Sequence, residues 1–349
     1  MTVRPVVRAV LRGALKDVRY VRPVRPGRAH GLVAEVYGQA ERDFGVLAPP
    51  LALHSPAPGP LAAGWLMLRE TLLVDGAVGR AVKERVATEV SRANSCPYCV
   101  EVHQAALEGL APASVPADGD AVGAWARGSG RAPGAGRELP FPASAAPEIC
   151  GVAFTFHYLN RMVAVFLADS PMPAAAPGFV RAPVMRTVTR AMRPVGPGPL
   201  RPGESLRLLP GTPAPAGRPW ARENPVVADA LGRAVAAVDA AARWVPRSVR
   251  ERLGELLDGW DGGPVGPSRA WLTEPLATLP GVDRPAARLA LLTAFAPYQV
   301  TDADVAALRA RHPGDRELIE LTSWAAMAAA TRVAGRWQTP QTLRTPQPL

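Results

Sequence analysis

A chain of 349 residues, 48% hydrophobic and 20% charged, is long enough for two ordinary domains with separate cores. Its net charge of +10 raises nucleic acid or an anionic surface as partners. That charge is nearly all arginine, since lysine occurs only at Lys16 and Lys83, and 39 prolines and 32 glycines accompany it without any nucleic-acid-binding module, so the composition argues against nucleic acid.

Residues 1–29 form a basic amphipathic segment. Val7, Leu11, Leu15 and Val18 make one helical stripe, and Arg4, Arg8, Arg12, Lys16 and Arg19 lie mostly elsewhere on the wheel. Small apolar residues without aromatic anchors favour a terminal helix packed on its own domain over a membrane-surface helix. Arg8, Arg12 and Lys16 also interrupt what would be the core of a secretion signal, which leaves the cytoplasm as the expected compartment.

From residue 30 to 170 the chain reads as successive helices. Leu32, Val33, Val36 and Tyr37 have helical spacing, Pro49-Pro50 marks a break, and another helix is expected over 64–73. Residues 77–93 carry valines at 82, 86 and 90, and this four-residue spacing argues for helix although valine favours strands. A Gly-rich piece covers 128–136. Residues 149–167 are apolar enough for a buried helix, and His157, Asn160 and Arg161 within that stretch argue against a membrane span.

Residues 171–222 are proline-rich without apolar periodicity and are expected to be a linker or wrapping arm lacking regular helix. Residues 223–338 then predict a second, smaller helical domain. Its helices are marked by Val226, Leu231, Val235 and Val238, by 249–257, by 286–295, by 302–310 with Asp302 and Asp304 in the first turn, and by 315–333. Asn160-Arg161 and Thr331-Arg332 hint that this half is a degenerate repeat of the first. Residues 339–349 are a tail. The expected class is all-α.

Three cysteines are too few for a disulfide framework, but two of them form Cys96-Pro97-Tyr98-Cys99, with His103 following and Glu84 preceding. The pattern is Glu-x11-Cys-x2-Cys-x3-His. Asn94 and Ser95 are suitable N-caps, and Pro97 is tolerated in a first turn, so a helix starting there places both thiols at its positive end. Such positions lower a cysteine pKa from about 8.5 to roughly 3.5–7.5. His103 shares their helix face and reaches Cys99 most directly. A Cys99 thiolate attacks a peroxide O–O bond to give a sulfenic acid, Cys96 condenses with it to a disulfide, and an external dithiol restores both. No metal, haem or flavin is required.

The segment from Glu84 through Ser91-Arg92-Ala93-Asn94-Ser95-Cys96-Pro97-Tyr98-Cys99 to His103 resembles the alkylhydroperoxidase D and carboxymuconolactone-decarboxylase-like family. The resemblance covers about 30–167 and is faint from 225 onward. It implies an all-α helical bundle that forms homo-oligomers. Within it Cys99 would react with peroxide, Cys96 resolve, His103 accept the proton and Glu84 relay it. It also implies a hydroperoxide or disulfide as substrate and a lipoyl protein or peroxiredoxin as the dithiol reductant. The decarboxylase activity of the wider family is not implied, because those members lack the Cys-x-x-Cys.

Each residue also has a plainer reading. Cys96, Cys99, His103 and Glu84 make a possible structural zinc set, and a thiol switch without turnover would use the same cysteines. Glu84 lies opposite the valine stripe, which by itself suggests a solvated carboxylate, but Ala81, Thr88 and Ser91 on that face are small enough for another helix to pack there. Cys150 reads as inert and buried, His157 as a core histidine, and Arg161 as paired with a structural carboxylate.

Overall fold

Apolar side chains at helical spacing dominate the chain, and in the computed structural model the described residues (4–110, 119–131, 139–172, 178–196, 198–212 and 218–337) contain fifteen α-helices and no strand. The first seven are α1 (Arg4–Ala14), α2 (Gly31–Gln39), α3 (Pro49–Ala52), α4 (Pro58–Leu68), α5 (Arg80–Ala93), α6 (Pro97–Glu108) and α7 (Gly119–Gly128). Then come the long α8 (Ala146–Phe166), α9 (Gly178–Ala191), α10 (Pro225–Ala241) and α11 (Arg247–Gly259). The last four are α12 (Thr273–Ala277), α13 (Arg284–Phe295), α14 (Asp302–Arg309) and α15 (Asp315–Ala334). The all-α class expected from the sequence is the class observed.

Helix α8 is buried on almost every face, so it must be enclosed by other helices. It is long and apolar enough to cross a membrane, but here α4, α5 and α15 pack around it. Helix α10 packs on α4, and buried apolar side chains from Val7 to Trp337 form one cluster that includes helices from both sides of the proline-rich segment. The expected carboxylates at the start of α14 are present, and Thr301 with Asp304 closes a capping box.

Three local expectations are corrected. Pro49-Pro50 opens α3 instead of marking a break, because proline at the first helical positions gives up only an N–H that has no helical partner. In the proline-rich stretch α9 forms despite Pro183 inside it, since Met185, Thr189 and Ala191 are buried and this packing outweighs the lost backbone bond. Among the described residues Arg161 has no carboxylate partner. It donates to the carbonyls of Ala294 and His157 and lies over the Trp260 ring, the Ala294 carbonyl being one of those left free in the last turn of α13. The Gly-rich piece lies outside the described residues over 132–136, as do the tail and the first three residues.

Two features fix the elements that carry the cysteine motif. Lys83 on α5 is buried and ion-pairs with Glu148 in the first turn of α8 at 2.6 Å, while donating to the Val74 carbonyl. Glu148 also accepts the N–H groups of Ala77 and Val78, so its charge is fully engaged. Farther along, Gly45 has φ +86°, and a Cβ there would lie 2.1 Å from the carbonyl oxygen of Ala191. Only glycine lets the end of α9 approach this closely.

Candidate active site

The turn between α5 and α6 brings the motif together. Asn94 N–H closes α5 on the Val90 carbonyl, and Ser95 adopts a left-handed conformation with φ 52°. Cys96 then stands immediately before α6, its N–H bonded to the Ser91 carbonyl and its own carbonyl accepting from Val100. Asn94 and Ser95 are therefore turn residues and not the caps expected. The Asn94 side chain is occupied elsewhere, donating to Asn160 Oδ1 at 2.9 Å and to His157 Nδ1 at 3.2 Å. Cys99 lies in the first turn of α6, as expected.

Both thiols are free and buried, and they hydrogen-bond to each other. The Cys99 thiol donates to Cys96, which pulls the Cys96 pKa down against the opposing effect of burial. The Cys99 backbone N–H and the Asn160 side chain assist. The same hydrogen bond raises Cys99 well above an ordinary thiol, and burial adds to this. One proton held between two sulfurs is the physical content: the first ionisation of the pair is favoured and the second opposed.

His103 lies one turn beyond Cys99 on the same face. Its Nδ1 is 2.7 Å from Glu84 Oε2, and its ring meets Phe156 edge-on with centroids 4.6 Å apart. Glu84 is 1% exposed, so of the two readings the sequence left open the packed one holds. Arg80, one turn earlier on α5, donates to its other oxygen at 2.8 Å. Burial alone would raise the Glu84 pKa. The charge of Arg80, then that of His103, and the hydrogen bonds from both outweigh it and hold the carboxyl down at about 2. Ionised Glu84 only accepts, so His103 Nδ1 is the donor and Nε2 remains the ring's other nitrogen.

Cys99 and His103 open onto one cavity of about 230 Å³. Its walls are mostly apolar: Phe44 and Val46, Leu68, Phe156, and side chains of α1 and α9. Cys96 is not on its wall. On the opposite side of α8, His157 is a satisfied core histidine, with Asn94 on Nδ1 and Ser129 on Nε2 at 3.0 Å, and burial lowers its pKa to about 3. Cys150 is fully buried, and burial alone raises it well above an ordinary thiol. Among the described residues no three His, Cys, Asp or Glu side chains converge closely enough to hold a metal ion.

Sequence reasoning missed Asn160, which bridges Ser91, Asn94 and the two sulfurs. The available signal was one amide side chain beside His157 and Arg161 on a largely apolar helix, and its partners on α5, the turn and α6 lie more than sixty residues away in sequence. The contributions of Arg80, Phe156 and the two covering helices α1 and α9 were likewise invisible in the motif's own spacing.

No family model matches the chain. A Mycobacterium tuberculosis protein named alkyl hydroperoxide reductase is 38% identical over 338 residues, covering 93% of this chain and 95% of its own length. The likeness thus runs through the proline-rich and carboxyl-terminal parts, well beyond the stretch in which the motif made it legible. The chain belongs to the alkylhydroperoxidase-like family that this relative represents.

Proposed function

We propose that the protein reduces hydroperoxides through Cys99 and Cys96. The observation that carries this reading is that Cys99 and His103 line one apolar cavity, with Glu84 buried behind the imidazole at 2.7 Å. A free thiol beside a proton acceptor in a water-poor cavity is what a thiol peroxidase requires.

The Cys99 proton passes to His103, and the thiolate attacks the terminal oxygen of R–O–O–H. The O–O bond breaks, the alcohol leaves with a proton from His103, and Cys99 becomes a sulfenic acid. Cys96, already in hydrogen-bond contact, attacks that sulfur; the S–O bond breaks, an S–S bond forms and water leaves. Two electrons have then passed from the thiols to the peroxide. A dithiol protein of the lipoyl or peroxiredoxin kind returns them by exchange, in a reducing cytoplasm that keeps all three cysteines free. With its carboxyl held down at about 2, Glu84 stays ionised. Its part is to orient His103 and stabilise the imidazolium instead of carrying the proton itself.

The test is hydroperoxide consumption with a dithiol donor, measured for the wild type, Cys99→Ser, Cys96→Ser and His103→Ala. Turnover is expected only in the wild type at full rate, with a sulfenic acid trappable by dimedone at Cys99 in Cys96→Ser. Reversible oxidation without turnover would replace this reading with a thiol switch.

A further inference from the structure

Helices α1 and α9 pack against each other above the Cys99 cavity, and their inward side chains Leu11, Ala14, Met185 and Val188 form part of its wall. Their outward side is unusual in two ways. The described residues include seven large apolar side chains that are exposed, and four of them are on these two helices: Val6 at 64%, Val10 at 63%, Phe179 at 82% and Val184 at 38%. Val10 and Val184 also belong to the cavity wall, so two of these exposed side chains border the route to Cys99.

The second feature is charge. Helix α1 carries Arg4, Arg8 and Arg12, α9 carries Arg181, Arg186 and Arg190, and neither contains an acidic residue. A groove of about 810 Å³ between the two helices is lined by Arg4, Arg8, Arg12 and Arg190 without a carboxylate. Arg8 is held by the carbonyls of Gly45 and Glu41, Arg12 pairs with Glu41, and Arg181 lies 3.6 Å from Glu101. Arg4, Arg186 and Arg190 have no ion-pair partner among the described residues.

We propose that α1 and α9 dock the protein on an anionic lipid bilayer, with the apolar rim in the acyl boundary and the arginines among the headgroup phosphates. Apolar residues between basic ones, with no acid, are the composition of a helix that lies in a membrane interface. Each arginine near such a surface contributes about 1 kcal/mol of attraction. A second copy of the chain fits this face poorly, because a symmetric contact would oppose like arginines, of which Arg4, Arg186 and Arg190 have no carboxylate partner among the described residues. Docked this way, the cavity mouth meets the bilayer, and hydroperoxides formed on acyl chains reach Cys99 without crossing water. That last consequence rests on the peroxidase reading; the docking does not.

The experiment is co-sedimentation of the full-length protein with vesicles of phosphatidylcholine alone or with about one-third phosphatidylglycerol. Phe179→Asp and the double variant Arg4→Glu/Arg190→Glu are compared with the wild type, and turnover of a water-soluble hydroperoxide is followed in parallel. Wild-type binding is expected only to the anionic vesicles, weakening with salt, and at least about tenfold lower in both variants. Equal or absent sedimentation with both vesicle types would overturn the proposal. So would a Phe179→Asp protein of lower solution mass whose wild type ignores vesicles, which would assign the face to self-association. Soluble turnover without vesicle binding refutes docking alone, and vesicle binding without any turnover refutes the peroxidase reading alone.

Discussion

Glu84 Oε2 and His103 Nδ1 are 2.7 Å apart and shut away from solvent, on two helices joined by the turn that carries Cys96. Because Arg80 and His103 keep Glu84 ionised, the carboxylate only accepts, and the pair fixes the imidazole tautomer in which Nδ1 donates. His103→Ala is expected to lower kcat for hydroperoxide reduction by about 10² or more, the usual contribution of a positioned acid–base group. Glu84→Gln keeps the hydrogen-bond shape but loses the charge, so a smaller loss is expected. Steady-state kinetics with a fixed dithiol donor compares them.

Acid should weaken the fold in a definite window. His54 and His157 are buried, and burial lowers them to about 4 and about 3. A folded pKa below the unfolded value of about 6.5 means the stabilisation is complete above pH 6.5 and is lost as pH falls through the folded pKa. Unfolding free energy is expected to fall by about 2 kcal/mol per histidine between pH 7 and 5. Glu84, held down at about 2, adds a further loss only below its unfolded pKa of about 4.5. Urea unfolding of the wild type and His54→Gln checks the sign, since the variant should show a shallower slope between pH 7 and 5.

Gly45 sits under the end of α9, and a methyl group there meets the Ala191 and Arg193 carbonyls. Gly45→Ala combines a disfavoured positive φ with a backbone clash, for an expected loss of about 1–3 kcal/mol. Since α9 roofs the cavity, Cys99 should also become more reactive toward a bulky thiol reagent. Thermal unfolding and labelling rates measure the two effects.

Lys83→Met removes the cation paired with buried Glu148 and leaves that carboxylate with only the Ala77 and Val78 N–H groups. A loss of about 3 kcal/mol is expected, and Lys83→Met with Glu148→Leu should recover only part of it, because the Ala77 and Val78 N–H groups then lose their acceptor. Chemical denaturation of the single and double variants gives the comparison.

The helices with unbroken apolar spacing, such as α5, α8 and α15, were readable in the sequence, as was the clustering of Cys96, Cys99 and His103 by local spacing. Helix α9 was not, because Pro183 masks a helix that tertiary packing supports. The packing of α10 on α4 and of α15 on α8 joins residues far apart in sequence, and a periodic pattern shows which face is apolar but not what covers it. Glu84 illustrates the same limit: the wheel placed it opposite the valines, and only the approach of α6 turned that outer face into an interior. Arg161 followed the rule that a buried charge needs partners, but carbonyls at a helix end served where a carboxylate was expected.

The most direct measurement is mass spectrometry of the wild-type protein after graded additions of an organic hydroperoxide. A Cys96–Cys99 disulfide is expected to form first and stoichiometrically, with Cys150 still reduced and the dithiol form restored by a dithiol donor. Oxidation that begins at Cys150, or that leaves Cys96 and Cys99 unbridged, would contradict the assignment.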